Sequence, residues 1–253
     1  MIVFKYLHPD RIDVLKNGLI RFTQPAALND PFELRPNLSE VRRFFDRLHR
    51  NANGITPTAS DLLGTQETIS ETFGRWNEDN ASDLVFLSLS KNQNNLLMWS
   101  HYCDCHRGFV IGFDATHPFF NHAVNGSKSA LQEVNYSRYR PVVPAPDQDP
   151  EQFFKENTNL LTKSHHWKYE EELRMCASPK AANSVQPGPN GHPIYLFTFP
   201  KESVAEVILG YRMASDIRKT ITTVVREKYQ KAVLYQTALN EVEYDLDVNP
   251  NND

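Results

Sequence analysis

Long apolar runs are missing from this chain, and so are the common phosphate-cradling glycine loops. No stretch approaches the roughly 20 consecutive apolar residues that cross a bilayer, so no membrane-spanning helix is expected. The opening Met1-Ile2-Val3-Phe4-Lys5-Tyr6 has no basic stretch before a long apolar segment, and the polar His8-Pro9-Asp10-Arg11 follows at once. That pattern predicts no export signal. Only three cysteines occur. An odd number without an export signal reads as free thiols in a reducing, cytoplasmic setting. The glycine–lysine P-loop and the GxGxxG pattern are absent, as is the GxSxG nucleophile elbow. The net charge of −4 leaves no bulk footprint for nucleic acid, although a local basic patch stays open.

What is present is the composition of a folded protein, with 40% hydrophobic and 23% charged residues. A chain of 253 residues can bury a substantial core. It shows no internal repeat and no clear linker, so a single domain over 1–253 is expected. Short strands are expected at 2–7, 19–22, 84–90, 107–113, 134–136, 172–176, 194–199, 204–209 and 232–235. Pro9–Asn17 suits a helix closed by Gly18, and Asn94–Tyr102 and Gln152–Thr162 suit further helices. Ser215 or Asp216 can cap a helix that buries Ile217, Ile221, Val224 and Val225. Helical spacing at Leu38, Val41, Phe44, Phe45 and Leu48, and again at Ile69, Phe73 and Trp76, predicts a helical insertion over 38–82. Pro141–Pro150 and Pro179–Pro193 read as loops or a hairpin tip, and the acidic tail over 241–253 is expected to fray. Strands outnumber βαβ units. The fold class is therefore α+β, with a mixed, mostly antiparallel sheet.

Three clusters carry chemistry-bearing side chains. The first is Phe4-Lys5-Tyr6-Leu7 with Leu28-Asn29-Asp30-Pro31-Phe32-Glu33, in which Asn29-Asp30-Pro31 reads as a turn, because Asp and Asn bond their own backbone and Pro fixes φ, or as a polar loop lining a pocket. Ser88-Leu89-Ser90, Met98-Trp99-Ser100-His101-Tyr102 and His106-Arg107-Gly108-Phe109 combine two His, an Arg, a Trp and a Tyr. They read as packing under a sheet or as a polar cleft. Trp167-Lys168-Tyr169-Glu170-Glu171-Glu172-Leu173-Arg174 sets three carboxylates at the mouth of an apolar strand. Such a run lies on a solvated face or in a cleft with shifted pKa values. His101, Cys103, Cys105 and His106 suggest zinc only superficially, since structural sites prefer CxxC pairs, and no metal is expected.

These residues carry a resemblance. Lys5-Tyr6, Asn17-Gly18-Leu19-Ile20-Arg21-Phe22, Leu28 to Glu33, Phe86-Leu87-Ser88, Leu97 to Tyr102, His106 to Phe109, Trp167-x-Tyr169-Glu170-x-Glu172-x-Arg174 and Val207 to Gly210 resemble a bacterial family catalogued as a domain of unknown function. Cys103 and Cys105 stand where that family carries other small or polar residues, and Leu173 replaces a common Trp. The order Lys5, Ser88-x-Ser90, Glu170-x-Glu172 also resembles ADP-ribosyltransferases of the Arg–Ser–Glu type, with Lys5 in place of Arg and with longer spacings.

That second resemblance implies a split β-sandwich and chemistry on NAD. Glu172 would stabilise the oxocarbenium-like ribose and Glu170 would orient or deprotonate the acceptor. Lys5 would meet the phosphates. Ser88 or Ser90 would position the ribose, Tyr6 or Tyr102 would stack on nicotinamide, and His101 and Arg107 would line the cleft. The acceptor stays open between protein, nucleic acid and water. By analogy a toxin or phage-defence effector is implied, with an antitoxin or regulatory partner and no membrane partner. Two other readings remain: a non-catalytic binding or regulatory protein on the same fold, and a nuclease or hydrolase using His101 with Glu170 and Glu172.

Overall fold

The computed structural model describes residues 1–33, 84–124, 127–141 and 160–251, together with residues 35, 37, 39, 43, 47, 50 and 51. The chain divides into two compact units. One comprises Met1–Thr23, Val85–Glu133 and Tyr169–Asp253, the other Gln24–Leu84 and Val134–Lys168. The architecture is α+β with mixed, mostly antiparallel sheets. No helix among the described residues is long and apolar enough to cross a membrane.

The first unit is built on an eight-stranded sheet. Its strands are β1 (Ile2–Leu7), β3 (Val85–Ser90), β4 (Phe109–Asp114), β7 (Gln132–Glu133), β10 (Glu172–Ala177), β13 (Val204–Leu209), β14 (Val233–Leu239) and β15 (Leu246–Pro250). They lie in the order β15-β14-β13-β4-β1-β3-β10-β7. Within this sheet β13 and β14 are parallel, because helix α3 (Ser215–Lys228) carries the chain across between them. A second sheet joins β11 (Ser184–Gln186), β12 (Ile194–Thr198) and β2 (Leu19–Phe22). A separate hairpin joins β5 (Asn121–Val124) and β6 (Ser127–Ala130).

Alternation along β1 sets both cores. Val3 and Leu7 enter the larger one, with Leu87, Leu89, Ile111 and Phe113, with Ile20, Phe22 and Phe197 of the second sheet, and with Ile221, Val224 and Val225 of α3. Phe4 and Tyr6 enter the smaller one on the other face, with Val110, Ile208 and Leu246 and with Met98 and Trp99 of helix α2 (Leu96–Tyr102). A short helix α1 (Asp13–Asn17) turns the chain from β1 into β2. It ends at Gly18, where φ is +65° and the N–H donates to the Val14 carbonyl. A residue with Cβ would be strained there.

The eight-stranded sheet forks at β3. Its Ser90 end lies beside β1, with Ser90 opposite Phe4, whereas Phe86 bridges Thr23 just past β2. The Ser88 carbonyl falls between these pairings, and the Lys5 ammonium donates to it at 2.9 Å. The ammonium thus satisfies a partly buried backbone acceptor where strand pairing lapses.

In the second unit β8 (Asn135–Ser137) runs parallel to β9 (Thr162–Ser164). The Asp30 carboxylate accepts the Phe32 N–H at 2.9 Å, the Asx turn expected of Asn29-Asp30-Pro31. The Arg140 guanidinium stands 4.7 Å from the centre of the Phe32 ring.

Several elements differ from expectation. The tail is not frayed from residue 241, because Leu246–Pro250 returns as edge strand β15 beside β14, with Leu246 buried and Val248 packed beside it. β14 accordingly extends to Leu239. Neither Ser215 nor Asp216 caps α3. Ala214 occupies the cap with no side-chain bond, and Ser215 is the first helical residue. Residues 107–108 belong to a turn, so β4 starts at Phe109. The helical insertion over 38–82, apart from helical residues 39, 43, 47, 50 and 51, lies outside the described residues. Residues 142–150 and 151–159 also lie outside them, and Thr162 opens β9.

Candidate functional site

Register brings the Ser and Glu motifs together. Ser90 lies opposite Glu172, and Ser88 opposite Arg174. Directly paired residues share a face, so Ser88, Ser90, Glu172 and Arg174 stand on the α2 side of the sheet with Phe4 and Tyr6. Glu172 and Arg174, two apart on β10, form an enclosed ion pair. Arg174 Nη2 is 2.9 Å and Nε 3.0 Å from Glu172 Oε1, with side-chain exposures of 1% and 3% for Arg174 and Glu172. The Arg174 guanidinium also stands 5.3 Å from the Phe86 ring centre.

Glu170 is buried at the end of the 3-10 turn His165–Glu170, and the Tyr102 hydroxyl donates to it at 2.5 Å. Glu171 faces solvent with φ +44° and accepts from Asn92 Nδ2 at 3.0 Å. This left-handed residue separates two carboxylates that both turn inward. His101 is exposed, with Nδ1 3.0 Å from the Tyr169 hydroxyl. Asn95 caps α2 through Oδ1, and its Nδ2 donates to the Tyr169 carbonyl at 2.9 Å.

Lys5 alternates onto the other face with Val3 and Leu7. Part of the residue reaches the surface, but its ammonium is enclosed. Burial lowers its pKa to about 8. Glu172 and Glu170 work against that shift, while Arg11 and Arg21 add to it. Lys5 therefore senses the two acids and two further cations.

Other expected positions differ in their surroundings. Ser90 closes a turn, with Oγ accepting the Asn92 N–H at 3.0 Å. Tyr6 is enclosed, its hydroxyl donating to the Asn92 carbonyl at 2.7 Å and its ring meeting the Trp99 ring edge-on at 5.6 Å. Burial raises its pKa well above the ordinary tyrosine range. The Tyr6 ring is thus part of the smaller core. Arg107 forms an exposed double hydrogen bond with Asp104, at 2.7 Å for each contact. Cys103 is buried with Sγ 3.4 Å from the Phe109 carbonyl, and Cys105 is exposed. No group of three or more His, Cys, Asp or Glu among the described residues could hold a metal.

Arg174, Asn92, Asn95 and Tyr169 join the site without having been assigned roles from the sequence. For Arg174 the signal was available: two residues beyond Glu172 on a strand is the same face. The asparagines carry no such mark, since their contacts depend on how α2 enters.

Neither the curated proteins nor the solved structures contain a match to this chain. Residues 98–175, from α2 into β10 and including Tyr102, Glu170, Glu172 and Arg174, match the family described as "Protein of unknown function (DUF2971)".

Proposed function

We propose that this chain cleaves the nicotinamide–ribose bond of NAD, as an ADP-ribosyltransferase or an NAD glycohydrolase. The observation that carries the reading is the pair of buried carboxylates, Glu170 and Glu172, at the start of β10, both felt by the Lys5 ammonium. The forked sheet supports it too, since the implied fold is a split sandwich.

Cleavage breaks the C1′–N bond, and its electron pair leaves with nicotinamide. Positive charge develops on the ribose, where a fixed carboxylate is most effective because it need not reorganise. Glu172, fixed by Arg174, takes that role. Glu170, oriented by Tyr102, accepts the proton of the hydroxyl or water that attacks C1′. Nicotinamide release from NAD, followed by chromatography, tests the reading. Glu172→Gln and Glu170→Gln should each lower the rate by about 100-fold or more. Intact NAD with every acceptor tried, together with no heat of NAD binding, would remove the proposal.

One observation favours a second reading. The Glu172–Arg174 pair is almost entirely enclosed within the sheet, as a structural ion pair would be. A non-catalytic binding protein would then lose stability, but not biological activity, in both glutamine variants.

A further inference from the structure

Asn95 uses both ends of one amide. Its Oδ1 accepts the N–H groups of Leu97 and Met98, at 3.0 and 3.1 Å, and so caps α2. Its Nδ2 donates to the Tyr169 carbonyl at 2.9 Å. Two N–H groups require the oxygen at the cap and a carbonyl requires the nitrogen, so the amide has a single orientation. The cap fixes the helix whose last residue is Tyr102. The other end fixes the residue just before Glu170. The Tyr102 hydroxyl and the Glu170 carboxylate are themselves joined at 2.5 Å.

The chain after Glu170 is held from the same loop. Glu171 has φ +44°, which is unfavourable for a residue with Cβ and persists only where neighbours impose it. The Lys91 N–H donates to its carbonyl at 3.1 Å, and Asn92 Nδ2 donates to its carboxylate at 3.0 Å. The loop is anchored in turn. The Tyr6 hydroxyl donates to the Asn92 carbonyl at 2.7 Å, and Trp99 Nε1 donates to the Gln93 carbonyl at 3.1 Å. Glu170 therefore lies between two backbone carbonyls that residues 91–95 bind, Tyr169 before it and Glu171 after it.

We propose that Asn95 is a positioning residue that sets the Glu170 carboxylate against the Tyr102 hydroxyl, by tying the helix that carries one to the turn that carries the other. A cap alone does not call for asparagine, since Asp and Ser cap about as well. An aspartate has no donor and would set a negative charge against the Tyr169 carbonyl. A serine keeps its oxygen at the cap and lacks the second arm of the amide. The proposal deepens the NAD reading by naming what orients the proton acceptor. It rests on that reading for the reaction, not for the geometry.

Asn95→Asp and Asn95→Ser, made in the full chain, test it because both keep the cap. In each, kcat for nicotinamide release should fall at least about tenfold with little change in KM, since a small misplacement of a reacting group is costly. Asn94→Ala is the control. It lies in the same loop, but its Nδ2 holds Asp245 and the Leu246 carbonyl, at 2.8 and 2.6 Å, and its loss should leave kcat unchanged. The Tyr102 hydroxyl proton gives a readout that needs no turnover. Bonded to a carboxylate at this distance it should resonate at low field, and Tyr102→Phe identifies it by its loss. It should move upfield in both Asn95 variants and stay in place in Asn94→Ala. No such resonance in the parent, a resonance unmoved in the Asn95 variants, turnover with kcat unchanged in both, or equal losses in Asn94→Ala would each overturn the role of Asn95. No NAD cleavage by the parent, with the resonance moving as expected, would sink only the catalytic reading.

Discussion

Arg174 and Glu172 stand side by side on one strand, 2.9 Å apart at their closest atoms and almost entirely enclosed. Their separation in sequence is the period of a strand, so the pair forms wherever β10 forms. Two charges removed from water are tolerable only together. Arg174→Met keeps an aliphatic stem of similar length but removes the guanidinium from beside the buried carboxylate, and it should cost about 3–5 kcal/mol. The double variant Glu172→Met with Arg174→Met should recover most of that loss, because no isolated charge is left behind. Urea unfolding of the three proteins measures both values. A double variant as unstable as the single one would show that the guanidinium matters for contacts beyond this carboxylate.

Tyr102 offers a gentler test of the neighbouring acid. Its hydroxyl donates to the buried Glu170 carboxylate, and Tyr102→Phe removes only that oxygen. Hydrogen bonds to charged groups contribute about 1.5–3 kcal/mol, and a loss of that size is expected in chemical denaturation. If Glu170 handles the acceptor proton, the variant should also lower kcat for nicotinamide release more than it raises KM. An equal fall in thermal stability with kcat unchanged would assign the hydroxyl to structure alone.

Much of this arrangement can be read along the chain, and the part that cannot is specific. Strand period alone predicts that Glu170 and Glu172 share a face on an extended chain, and both do turn inward. They do so across Glu171, whose positive φ falls outside strand geometry. Lys5 is legible as the polar member of an apolar strand, but its role at the fork depends on where β1 and β2 part company along β3. That register is set by contacts between residues far apart in sequence, Phe4 with Ser90 and Thr23 with Phe86, and has no local signature. The edge strand β15 was hidden by its acidic neighbours: Leu246 and Val248 alternate, yet two apolar residues among Asp and Asn resemble a solvated tail.

The enclosed ammonium of Lys5 makes stability depend on pH in a defined direction. Burial lowers its pKa from an ordinary 10.5 to about 8, against the opposing pull of Glu172 and Glu170 and with Arg11 and Arg21 assisting. Between these values the unfolded chain holds a proton that the folded chain has released. Raising the pH through that window therefore lifts a penalty on the folded state, and the Lys5 contribution to stability rises. Below it both states are protonated and the penalty is constant. The difference in unfolding free energy between the parent and Lys5→Met should be flat below pH 8 and move in favour of the parent from 8 to 10.5. A flat difference across the whole window would mean that the ammonium is solvated.

The turn after α2 holds strain at a position where nothing depends on the side chain. Asp104, Cys105 and His106 have φ values of 47°, 50° and 68°, three consecutive left-handed residues without a glycine. Two of them are held by their side chains. Asp104 pairs with Arg107, and the His106 ring stacks parallel to Trp99 with Nε2 3.3 Å from Ser100 Oγ. Gly108 keeps the turn against β1, since a Cβ there would come within 2.1 Å of the Leu7 carbonyl oxygen. Cys105 is exposed. A left-handed residue with a Cβ costs roughly 1–2 kcal/mol, and a new glycine gives back about 0.4–1 kcal/mol through the entropy of the unfolded chain. Cys105→Gly should therefore stabilise the fold by up to about 1 kcal/mol, an upward shift of about 2–4 °C in Tm for a chain of this size. Cys105→Val, β-branched at the same φ, should shift Tm downward. If the glycine variant melts lower and the valine variant does not, the left-handed turn is not the strained element that its dihedral angles describe.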